Sequence, residues 1–147
     1  MCDINNQIIR FLSSAPRFKL IVVADEQMLT YFSVFDLGYH LSMFLKENEQ
    51  LRNKELPFII QEELTRLINQ NIIHRPDFGD YICLSNTGIL FEKDLKVNVL
   101  QTIQRFSRNN LVILYWEGEI RGNKLFFLSE NSKYIIDLSA TNHIILL

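Results

Sequence analysis

Phe18-Lys19-Leu20-Ile21-Val22-Val23-Ala24-Asp25-Glu26-Gln27-Met28-Leu29-Thr30 is the stretch on which the fold turns. Its first part, Phe18 to Ala24, is a β-branched apolar run too short for a helix. A strand that is apolar at successive rather than alternate positions is buried on both faces, as in a parallel sheet covered by helices. If such a strand served a nucleoside triphosphate, it would pass into GxxxxGK[ST], whose backbone amides cradle phosphate at a helix N-terminus. Here Asp25-Glu26-Gln27-Met28 brings no glycine and no lysine, and two carboxylates stand where phosphate needs positive potential. This bend should repel ATP.

Working outward, Asp3 can cap a short helix in which Ile4, Ile8, Phe11 and Leu12 share one face and which Pro16 ends. Asp25 to Tyr31 is ambiguous, and Phe32 to Leu37 reads as a second strand broken by Gly38. Tyr39 to Glu47 and Pro57 to Gln70 read as helices, the second with Pro57 in its first turn and a stripe of Ile60, Leu64, Leu67 and Ile68. A charged linker, Lys46 to Glu55, lies between them. After a turn at Arg75 to Asp80, Tyr81 to Leu84 is a third strand, Val99, Leu100, Ile103 and Phe106 mark a helix, and Leu111 to Trp116 is a fourth strand. Lys124 to Leu128, Tyr134 to Leu138 and His143 to Leu147 follow turn signals at Gly122, Asn131 and Asn142. Strands alternating with helices and then clustering predict one three-layer α/β domain over 1–147, with a mainly parallel sheet and antiparallel C-terminal edge strands.

Composition narrows the function classes. With 147 residues, 48% apolar and 22% charged, the chain can bury a core of ordinary size and is no disordered tail. Fifteen basic against seventeen acidic residues, a net charge of −2, removes the footprint of a protein that coats nucleic acid. Cys2 and Cys83 make no disulfide framework, and the start lacks the basic and apolar regions of a secretion signal. No apolar run approaches bilayer length, so a cytoplasmic protein off the membrane is expected.

Chemistry-bearing constellations are sparse. His40, His74 and His143 stand apart, without the spacing of a helix-borne metal site. Asp77-Phe78-Gly79 after His74-Arg75 copies kinase letters without the glycine-rich loop or strand lysine that give them meaning. No Gly-x-Ser-x-Gly elbow is present, and neither cysteine has a histidine nearby to activate it. Glu117 and Glu119 would share one side of a strand as paired carboxylates do, although a solvated hairpin is the plainer reading. Lys93, Lys96, Arg105 and Arg108 gather around one helix and could meet phosphate or an acidic protein surface. A solvated helix face is the plainer reading there too, because no aromatic interleaving suggests base stacking. Trp116 and Phe126 could anchor an interface, while aromatic residues in strands are more often core.

Ile89-Leu90-Phe91-Glu92-Lys93-Asp94-Leu95-Lys96, then Leu100-Gln101, then Phe106-Ser107-Arg108-Asn109 and Trp116-Glu117-Gly118 form a connected pattern. That pattern resembles the small P-loop proteins called BrxF of type III BREX bacteriophage-exclusion systems, over Tyr81 to Tyr134. Upstream, the likeness rests on the order of strands and helices. The resemblance implies a P-loop-NTPase-like fold, and it also exposes two departures. Ser85 and Gly88 hold the places of the family's magnesium-binding aspartate and water-orienting glutamate; Asn86 fits the pattern but cannot replace a carboxylate on a metal. BrxB, another BREX family, likewise has a sheet ending in an aromatic-x-Gly turn and no phosphate loop.

The expectation is therefore a non-catalytic component of a BREX-like defence system, with nucleotide hydrolysis lost and no cofactor, metal or catalytic residue. It would act by docking to other defence proteins or to itself through Lys93, Lys96, Arg105, Arg108 and Trp116. The alternatives are a small metal-dependent nuclease using Asp36, Glu117 or Glu119, and a nucleic-acid-binding adaptor using the basic helix.

Overall fold

A computed structural model describes residues 2–50, 54–127 and 134–146. In it Leu20–Val23 is strand β1, buried at every position. On one side β1 runs parallel to β5 (Leu111–Tyr115), with Leu20 opposite Val112, and on the other to β9 (His143–Leu146), with Leu20 opposite His143. β4 (Gly79–Ser85) lies parallel beside β5, and β2 (Val34–Asp36) parallel beside the second half of β4. The sheet thus reads β2-β4-β5-β1-β9.

Side chains alternate across such a sheet, and the two sets go to different layers. Leu20, Val22, Ile82, Leu84, Val112 and Leu114 pack under α2 (Leu37–Glu47), α3 (Leu56–Gln70) and α4 (Val99–Ser107). Ile21, Val23, Tyr81, Cys83, Leu111 and Ile113 pack on Ile8 of α1 (Cys2–Ser13) and on Met28, Leu29 and Phe32 around a 3-10 segment, Glu26–Tyr31. Cover on both faces is the physical reason that β1 carries no polar alternation. The stretch left ambiguous in the sequence is this 3-10 segment. Six residues of it replace the long helix that commonly follows a first parallel strand.

Four expectations need correcting. The C-terminal strands are not an antiparallel edge: β6 (Glu119–Arg121), β7 (Lys124–Phe126) and β8 (Ile135–Asp137) form a separate three-stranded antiparallel sheet, and β9 joins the main sheet in parallel. The half-exposed pattern of β6 to β8 suits a sheet with one wet face, whereas Ile144-Ile145-Leu146 is apolar throughout. Second, the antiparallel member of the main sheet is β3 (Ile73–Arg75), which the sequence reading did not contain; it pairs with Gly79 to Tyr81, so the turn expected over Arg75 to Asp80 shrinks to Pro76–Phe78. Third, Gly38 does not break a strand. β2 stops at Asp36, whose carboxylate accepts from the Tyr39 amide at 2.8 Å and starts α2 with Leu37 and Gly38 inside it. Fourth, the first helix begins at Cys2, so Asp3 is within it; Ala15, at φ 53, ends the turn ahead of Pro16. The side chains of Cys2 and Asp3, linker residues 51–53, Leu128, the Asn131 turn and Leu147 lie outside the described residues. Among the described residues no helix is long and apolar enough to cross a membrane.

Cys83 sits fully buried in β4, and burial pushes its thiol from 9.0 up to about 12. Between those values the unfolded chain ionises its thiol while the folded one keeps the proton, so stability falls as pH rises from 9 towards 12. At neutral pH Cys83 is expected to resist alkylation until the protein unfolds. In a Cys2→Ser background, which leaves Cys83 as the sole thiol, labelling along a urea titration should follow the unfolding curve, and rapid labelling of the native protein would contradict this placement.

Candidate functional site

All five parallel strands point their carboxyl ends to one edge, and in such sheets ligands bind where the connections diverge. Here the divergence falls between β1 and β5: after β1 the chain travels to β2 at the far edge, and after β5 it continues to β9 on the other side of β1. Asp25 and Glu26 follow β1, and Trp116 and Glu117 follow β5, whose Trp116 amide donates to Val23 O at 2.9 Å. The Asp25 carboxylate accepts from the Gln27 amide at 2.9 Å, so it occupies the N-terminal donor position that a phosphate would use. Tyr115 reports the local field. Its hydroxyl pKa is raised first by partial burial and then by the charges of Glu26, Glu117 and Asp25.

The end of β4 is built differently. Asn86 adopts a left-handed conformation, φ 55, and its Nδ2 donates to Asp36 Oδ1 at 3.1 Å, joining the ends of β4 and β2. Gly38 of α2 lies against the same Asn86, and Gly88 against the Phe127 ring, each so closely that a Cβ would not fit. A cleft of about 560 Å³ opens here, with Glu92 and Asp94 among its lining residues. Asp94 and Glu92 extend the anionic character of this edge.

Trp116 is placed in the core, 3% exposed. Its Nε1 donates to Phe126 O at 3.1 Å, and its ring meets Phe91 and Phe127 edge-on, at 6.2 and 6.5 Å between centroids. It cannot serve as an exposed anchor. The three carboxylates considered for metal chemistry have different engagements: Asp36 caps α2, Glu119 pairs with Arg121 at 2.7 Å, and Glu117 stands near Tyr115. Among the described residues no group of three His, Cys, Asp or Glu side chains could hold a metal ion.

The basic residues divide. Lys96, Arg105 and Arg108 line one groove of about 550 Å³ between α3 and α4, together with Gln61, Asn98, Gln101, Thr102 and Gln104. Lys93, in the turn Lys93–Leu95, is exposed but does not line it. Arg105 is steered by Gln61 Oε1 at 3.4 Å and Thr65 Oγ1 at 3.2 Å and lies over the Phe106 ring; Arg108 lies over Phe18. These partners are neutral, so they orient the guanidinium groups without cancelling their charge. Lys96 enters the groove from a left-handed residue, φ 51, which closes the turn before α4. The amides of Gln61 and Asn98 were not anticipated from sequence; the outward stripe of Gln101, Gln104, Arg105 and Arg108 along one helix is the signal that would have found this face. Set beside known protein families, characterised proteins and solved structures, the chain matches none of them.

Proposed function

We propose that this chain is a P-loop-like α/β protein that no longer hydrolyses nucleotide, and that it serves a BREX-like bacteriophage-defence assembly as a non-catalytic docking component. One observation carries the loss of nucleotide chemistry. At the β1 carboxyl end Asp25 takes the Gln27 amide with its carboxylate and the Met28 amide with its carbonyl, and Glu26, Glu117 and Asp25 together act on Tyr115 at the end of β5. A phosphate arriving there would lose its donors and meet like charge within the range of unscreened repulsion. Ser85 at the end of β4 offers a hydroxyl where a metal-binding carboxylate would be needed, and the Asp36 carboxylate next to it is engaged with Tyr39 N and Asn86 Nδ2. A sheet that keeps its parallel core while Asp25 and Asn86 engage the polar groups at the ends of β1 and β2, and carboxylates line the cleft beside β4, fits a part retained for its surfaces. The assignment to a defence system rests on the resemblance over Tyr81 to Tyr134.

Calorimetric titration with magnesium and ATP tests the first half of this reading. No saturable heat is expected up to millimolar nucleotide, and saturable micromolar binding lost on Asp25→Ala or Ser85→Ala would overturn it. Co-expression with the products of neighbouring genes tests the second half: a complex that survives size exclusion in nucleotide-free buffer is expected, and a chain that always elutes alone counts against docking.

A further inference from the structure

The groove between α3 and α4 differs in character from the rest of the surface. Three cations reach it, no carboxylate lines it, and every other lining side chain is an amide or a hydroxyl: Gln61, Asn98, Gln101, Thr102 and Gln104. Among the described residues none of Lys96, Arg105 and Arg108 makes an ion pair, whereas Arg66, Arg75 and Arg121 each do. In a chain of net charge −2, three unneutralised cations on one face are a local reversal of sign.

We propose that this groove binds the sugar–phosphate backbone of duplex DNA, with Lys96, Arg105 and Arg108 on phosphate oxygens and the amides of Gln61, Asn98 and Gln101 as secondary donors, the Gln104 amide being engaged by Thr141. The chemistry of the lining chooses among polyanions. Phosphate and sugar contacts are made by Arg, Lys, Asn, Gln and Thr, and that is the complete set present. An acidic protein segment would need a buried apolar or aromatic anchor at its centre, and none lines the groove. A single strand would need several exposed rings along its path; Phe106 and Phe18 are buried beneath the arginines, and the exposed ring nearby, Phe58, lines the adjoining pocket with Arg105 and Gln61 and not this groove. The outward stripe from Gln101 to Arg108 spans seven residue steps, roughly 10 Å of helix, long enough to meet two successive phosphates of one strand. Without groups directed at base edges the contact is sequence-independent. This goes beyond the docking reading, which concerns protein partners, and does not depend on it.

Fluorescence anisotropy with a short labelled duplex of mixed sequence, titrated at low and rising salt, tests it. The expected result is saturable binding whose log–log salt slope is about −2.7, for three phosphate contacts. Arg105→Gln with Arg108→Gln should weaken binding at low salt at least tenfold and reduce the slope by about two, while Lys93→Gln leaves both unchanged. Far-UV circular dichroism of the double variant checks that α4 is intact, since neither arginine is buried. Absence of binding at low salt would overturn the proposal. So would equal weakening by Lys93→Gln, tighter binding of the single strand, or displacement of the duplex by polyglutamate at matched charge. None of these outcomes touches the nucleotide titration, so the two readings fail separately.

Discussion

Trp116→Ala is expected to destabilise the protein by about 3–5 kcal/mol, the range for removing a large buried aromatic side chain. The indole fills the space between the end of the parallel sheet and the small antiparallel one, touching Phe91 and Phe127, and Nε1 satisfies Phe126 O. Truncation removes the ring contacts and leaves that carbonyl without its donor at the same time. Trp116→Phe should restore much of the packing but not the hydrogen bond, and so cost about 1–3 kcal/mol. Urea denaturation of both variants separates the two contributions. A loss under about 1 kcal/mol for the alanine variant would place Trp116 at the surface after all.

Gly38→Ala carries the second large effect, and its sign is the informative part. Glycine to alanine within a helix ordinarily stabilises by up to about 1 kcal/mol. At Gly38 the added methyl would run into Asn86, meeting its carbonyl oxygen as well as its side-chain amide. The carbonyl belongs to backbone at the end of β4 and cannot rotate away. A destabilisation of about 1–3 kcal/mol is therefore expected, the range for overpacking a close contact. Adding Asn86→Ala should recover only part of it, because the side-chain clash goes and the backbone clash stays. A shift of the urea midpoint upward for Gly38→Ala would show that α2 and the end of β4 stand further apart than described.

How much of this was legible in the sequence depends on the range of the interaction responsible. Leu20-Ile21-Val22-Val23 announced a parallel strand because burial on both faces acts on each residue locally, and the α3 stripe of Ile60, Leu64, Leu67 and Ile68 did the same for a helix. β3 stayed hidden because three residues carry almost no periodicity, and its pairing with Gly79 to Tyr81 is decided by the turn. Gly38 was misread as a breaker since its true constraint, the approach of Asn86, lies nearly fifty positions away. The Trp116-Glu117-Gly118 turn was visible as a pattern, but its cause is tertiary: a Cβ on Gly118 would strike the carbonyl oxygens of Phe126 and Phe127, the former being the acceptor for Trp116. At the site, the acidic bend after β1 was plain because charge is written in single letters. The basic groove was only half visible, for a sequence names cations without saying which of them a second helix brings together, and here Gln61 of α3 completes the face with Lys96, Arg105 and Arg108 but not with Lys93.

The register of β1 also fixes an order of events. Leu20 is paired with Val112 on one side and His143 on the other, so neither neighbour exists while the first hundred or so residues are being made. Closing loops of that length costs entropy before any contact returns it, which places such topologies among slow folders, on the order of milliseconds to seconds. During synthesis the apolar ribbon Leu20 to Val23 must wait, unzipped on both flanks, until β5 and then β9 leave the ribosome.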